Sequence, residues 1–335
     1  MENNRINWID WAKFLAITMV VLGHIPQEEG SFLPLYVCTF HIPFFFFISG
    51  YLTKPRLDTK EEIKKCTHSL VIPYFLYNII FYPYWAIRLY IDRGVDLSIF
   101  DYIIKPIVGL FFLQINTPIS SSVNGAMWFI AVLLIMRFTV HFCLQTSKPS
   151  LFLIVIATIS VGIYVYISYH RTPVPLTIDG LFRCMPLYII GYLSKHYHWI
   201  EKIALKTDII MALILITISV GSTCLCNDSY SFTYQMIAFY TVLFTASFGF
   251  LYFCKALNSL KSSIIVNISI GTLMIMGLHW MYIGTTNFIL EHLLDMNTGI
   301  TYSWPLAILF ALCIDAAIYP LIIWAKKYMP ILLGK

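Results

Sequence analysis

A succession of apolar segments, each long enough to cross a lipid bilayer, dominates this chain. They fall near 10–26, 35–52, 70–92, 125–144, 150–168, 176–194, 208–226, 232–253, 264–289 and 304–325. About 17–25 helical residues span the hydrocarbon core, where a backbone must satisfy its hydrogen bonds internally. Ten such segments in 335 residues leave only short linkers. The expectation is an all-α, polytopic membrane protein, a single domain over 1–335 with about ten transmembrane helices. Composition agrees, since 59% of the residues are hydrophobic and 12% charged, against about 25% charged in soluble domains.

Loop charges orient the helices, because cytoplasmic loops collect Lys and Arg. The 53–69 linker holds Lys54, Arg56, Lys60, Lys64 and Lys65. Further clusters are Lys195, Lys202 and Lys206, then Lys255 and Lys261, then Lys326, Lys327 and Lys335. All of them share one side if the shorter 100–115 segment does not cross. Both termini are then cytoplasmic, and 100–115 is re-entrant or lies on the outer surface. Arg88 and Arg93 on the outside fit this least well. The net charge of +5 is spread over loops, and no basic run suggests nucleic acid. Eight cysteines show neither zinc-ligand nor disulfide-framework spacing, so they are expected to be buried free thiols. No metal site is expected. The first apolar segment lacks a small-residue cleavage site and is expected to remain as a span.

That first segment carries Asp10, Lys13 and His24. Residues 13 and 24 return to within about 20° of one helix face and lie roughly 16 Å apart along the axis. Ionisable groups inside a bilayer cost several kcal/mol and tend to be kept for pathways or chemistry. Asp10 is expected to pair with Lys13. Asn78, Arg137, Asp179, Arg183, His279 and Asp315 are further polar residues in apolar segments, and Asp179 is expected to pair with Arg183 at i, i+4. Ser49-Gly50 suggests close helix packing.

The Asp10-x-x-Lys13-(ten residues)-His24 pattern is followed by Phe40-His41-Ile42-Pro43 and Ser49-Gly50-Tyr51-Leu52. Together they resemble the integral-membrane acyltransferases called acyltransferase family three, closest to the fucose O-acetylase-like branch. Ser69-Leu70-Val71-Ile72-Pro73-Tyr74, Trp128-Phe129-Ile130, Pro186-Leu187-Tyr188 and Ile270-Gly271-Thr272-Leu273 with His279 match in order. The resemblance implies a ten-helix domain that moves an acyl group, commonly acetyl, from cytoplasmic acyl-coenzyme A to a hydroxyl of an extracytoplasmic or lipid-linked glycan. It also implies a multi-pass protein of the bacterial cytoplasmic membrane. Acetyl-CoA would be a donor substrate, with no permanently bound cofactor. Many members of that family carry Arg where this chain has Lys13, and Lys cannot make a planar two-point clamp on phosphate.

Such transfer needs a base for the acceptor hydroxyl, and imidazole suits that task. His24 is therefore the expected catalytic base, with a covalent acyl-histidine as the less favoured variant. His41, His279 and Asp10 are acid–base or orienting candidates, although a buried histidine also serves simply to bond a carbonyl. Lys13, Lys54, Arg56, Lys64 and Lys65 are the acyl-CoA-binding candidates, although topology alone places basic residues there. Trp128 and Arg183 are the acceptor-binding candidates. Two other classes compete: a transporter or flippase of a small polar solute, and a non-catalytic receptor or scaffold. The chain shows no paired halves of the kind transporters often carry and no large extramembrane domain.

Overall fold

A computed structural model describes residues 5–54, 58–93, 98–111, 116–117, 119–171, 178–201, 205–226, 230–292 and 299–335. The described residues form α1 (Asn7–His24), α2 (Phe32–Leu52), α3 (Thr59–Cys66), α4 (Ile72–Arg93), α5 (Lys105–Phe111), α6 (Trp128–Leu144) and α7 (Pro149–His170). The second half holds α8 (Ile178–His196), α9 (Leu205–Thr223), α10 (Phe232–Ala256), α11 (Ser263–Ile270), α12 (Thr272–His292) and α13 (Trp304–Tyr328). Eight helices have the length and hydropathy of membrane spans. The two remaining long helices, α1 and α8, are the ones whose ionisable residues lower their hydropathy. Ten expected spans therefore correspond to ten long helices.

Two expectations are refined. The 264–289 segment is broken at Gly271 into α11 and α12, where an added Cβ would stand 2.2 Å from Ile322 of α13. Residues 100–111 run back along α4, with the Tyr82 hydroxyl on the Tyr102 carbonyl and the Tyr74 hydroxyl on the Leu110 carbonyl, both at 2.7 Å.

α1 is the hub of the bundle, packing against α2, α10, α11, α12 and α13. Small and branched residues make that possible, and Ala12, Ala16, Ile17 and Val21 are wholly buried. Phe44 to Phe47 of α2 are packing residues rather than lipid-facing ones. The closest approach is between α2 and α8. A Cβ on Gly50 would lie 1.9 Å from the Tyr188 carbonyl oxygen, and one on Gly191 would lie 2.1 Å from that of Phe47. Small residues let membrane helices meet backbone to backbone, as Ser49-Gly50 suggested. The described cysteines are free, but Cys38, Cys224 and Cys313 are exposed, so burial holds for only part of the set.

Lys255 and Lys326 lie at the end of the bundle where α1 begins. There Asn7 bonds the Asn258 carbonyl, Lys255 bonds the Ile200 carbonyl and Asp208, and Lys326 bonds Asn267. His24 lies at the other end of α1.

Candidate active site

His24 closes α1 and is exposed into a cavity of about 600 Å³. Its imidazole lies 5.2 Å, centroid to centroid, from that of His279 and 5.1 Å from the Trp280 ring, both on α12. Trp85 and Trp128 complete a wall of three indoles, and Tyr84, Arg88, Asn116 and Ser122 also line the space. Ridges of α4, α6 and α12 thus converge on the end of α1.

Two buried imidazoles flank His24. His41 Nδ1 is 2.7 Å from the Val37 carbonyl, and His279 Nδ1 is 3.0 Å from the Ile275 carbonyl. A carbonyl oxygen can only accept, so in each ring Nδ1 carries the proton and Nε2 presents a lone pair. His279 Nε2 is buried and has no hydrogen-bond partner among the described residues. Unsatisfied buried polar atoms are unusual, and this one lies beside His24. His41 sits against Gly23, where an added Cβ would come within 3.6 Å of its ring.

A second cavity, of about 380 Å³, lies at the basic end and is lined by Lys13, Lys54, Lys65 and Arg137 with Ser49 and Thr53. Arg137 is neutralised by Glu62 at 2.6 Å. Lys13, Lys54 and Lys65 have no carboxylate partner among the described residues. A space walled by three unpaired ammonium groups attracts an anion.

Several expectations are corrected here. Asp10 does not pair with Lys13: it takes both prongs of Arg5 at 2.6 Å and the Ser269 hydroxyl at 2.6 Å. Arg5 precedes the helix and reaches back to it, and its fork satisfies both carboxylate oxygens, which an ammonium cannot. Asp10 is thereby a structural tie, remote from the histidines. Lys13 and His24, on one helix face by their spacing, line different cavities. Between them Ile17 and Val20 on α1 are buried, as are Phe129 and Val132 on α6 and Ile275 and Met276 on α12. Asp179 is exposed and forms no ion pair with Arg183, whose Nε is buried without a hydrogen-bond partner among the described residues. Arg183 does not line the His24 cavity, whereas Trp128 does. Lys64 is exposed and outside the lysine cavity, and Arg56 lies outside the described residues.

Sequence reasoning passed over Trp280, Trp85, Tyr84 and Arg137 as site residues. The one local signal was the His279-Trp280 adjacency. Asp315, noted only as a costly burial, meets the Thr18 hydroxyl at 2.5 Å.

Comparison with known proteins supplies the chemistry. A family model described as an acyltransferase domain matches residues 6–322. The nodulation protein NolL of Mesorhizobium japonicum is 24% identical over 204 residues, covering 57% of this chain and 48% of that protein. The match therefore spans about half the length of that relative. No solved structure matches the chain. The transporter and scaffold alternatives give way to the family match. Extending over nearly all of a chain with eight long apolar helices among its described residues, that match shows that the chain belongs to the acyltransferase-domain family.

Proposed function

We propose that the protein transfers an acetyl or other acyl group from acyl-CoA to a hydroxyl of an extracytoplasmic or lipid-linked glycan. The carrying observation is one helix with an anion-attracting cavity at its basic end and a histidine-bearing, indole-walled cavity at the other. Coenzyme A brings phosphates, which suit Lys13, Lys54 and Lys65. Sugars present apolar C–H faces and hydroxyl edges, which suit Trp85, Trp128 and Trp280 together with Asn116 and Ser122. In this reading the lysine end faces the cytoplasm of a bacterial cell, which the positive-inside rule supports.

In this reading His24 takes the proton of the acceptor hydroxyl as its oxygen attacks the thioester carbon. The C–S bond then breaks, and the departing thiolate recovers the proton from His24. A turn of the His24 ring would let its N–H donate to the unpartnered His279 Nε2 and so hold the base in line. The two cavities are separated by packed apolar side chains, so the acyl arm reaches His24 only when that wall parts.

Purified protein mixed with acetyl-CoA and candidate glycans tests the proposal. Free coenzyme A is expected to appear only with a suitable glycan and in equal amount to acetylated product. Coenzyme A release indifferent to every glycan contradicts it.

A further inference from the structure

A polar chamber of about 330 Å³ adjoins the His24 cavity. The two share Trp85, Asn116 and Ser122 as lining. Leu89 of α4, Asp101 and Lys105, and Thr117, Ser120 and Ser121 form the rest of its lining. Asp101 and Lys105 pair at 2.7 Å with their side chains 23% and 22% exposed, and the second Asp101 oxygen accepts from the Ser98 hydroxyl and amide, so the carboxylate is held in place with a partly exposed edge on the space. The Ser121 amide donates to the Lys105 carbonyl at 2.9 Å. Thr117 and Ser120 hold each other through their hydroxyls at 2.7 Å.

The chamber's chemistry differs from that of the lysine cavity. The carboxylate and the ammonium cancel, leaving a neutral space rich in fixed donors and acceptors with one indole shared with the catalytic side. Phosphate or carboxylate would gain little there. A neutral ring carrying several hydroxyls would match its hydroxyl, amide and charged edges, and Trp85 would offer a stacking face to either side.

We infer that this chamber is a second sugar subsite, and that the natural acceptor is an oligosaccharide held across both spaces with the acylated residue beside His24. The inference rests on the glycan-acceptor reading above. Asp101 and Lys105 select for the neighbouring sugar and take no part in the chemistry.

The test uses the full-length protein in detergent or liposomes with acetyl-CoA. The acceptors are fucose, a fucosyl disaccharide and a fucosyl trisaccharide. The expected result is a kcat/KM about tenfold higher for the disaccharide than for fucose, a gain of about 1.4 kcal/mol. Asp101→Asn keeps the side-chain shape and is expected to remove most of that gain while leaving transfer to fucose unchanged. Ser121→Leu, which narrows the chamber, is expected to do the same. Equal wild-type kcat/KM for all three acceptors overturns the second subsite and leaves the acyltransferase proposal standing. Equal losses on fucose and disaccharide in both variants also overturn it. Transfer to none of the three, with acetyl passed instead to a hydroxyl compound that is not a sugar, overturns the glycan-acceptor reading and this inference with it.

Discussion

His24 and His279 differ in what they can do because their surroundings differ. His24 is exposed into a cavity and is free to meet an acceptor, whereas His279 is buried with Nδ1 committed to the Ile275 carbonyl. His24→Ala is expected to lower transfer by about 10²–10⁴-fold, the usual range for a lost acid–base group, with membrane insertion unchanged on fractionation. His279→Asn is expected to lower kcat several-fold while leaving the KM for acyl-CoA near its wild-type value. A KM effect of equal size would assign His279 to donor binding instead. At the other end, Lys13→Ala is expected to raise the KM for acyl-CoA about tenfold with kcat held, and Lys13→Arg to restore it. Raising ionic strength should weaken wild-type donor binding and matter less in Lys13→Ala, since screening acts on charge attraction.

Among the elements, α1 was the most legible. Three ionisable residues in one apolar run announced a functional span, and His24 and Lys13 indeed line cavities. The partner of Asp10 was not legible. Lys13 stands one turn away, but Ser269 comes from α11, 259 residues on, and Arg5 reaches from outside the helix. Nor could Trp280 and Trp85 stand out where 16% of all residues are aromatic. The Gly271 break was masked by continuous hydropathy across 264–289, because it answers to Ile322 on another helix. Two contacts between elements carry stability predictions. Gly50→Ala forces α2 away from the Tyr188 carbonyl and should cost about 1–3 kcal/mol, as overpacking does. The Glu62–Arg137 pair ties α3 to α6 with side chains 4% and 15% exposed. Glu62→Gln leaves a largely buried guanidinium without its counter-charge and should cost about 3–5 kcal/mol. Removing both partners should cost less than removing one. Unfolding in detergent, followed by heat or denaturant, measures each.

For the whole molecule, the ten apolar segments made the helical class legible, while the separation of the two cavities came only from packing. The buried side chains between Lys13 and His24 set the central requirement of the proposal: a donor held at one end must deliver its acyl group to an acceptor held at the other. Sealed liposomes containing the protein, labelled acetyl-CoA on one side and a glycan acceptor on the other measure this most directly. Labelled acetyl should appear on the glycan across the membrane when acetyl-CoA meets the lysine end, and His24→Ala should abolish it. Transfer only when both substrates share one side, or undiminished transfer by His24→Ala, would contradict the account.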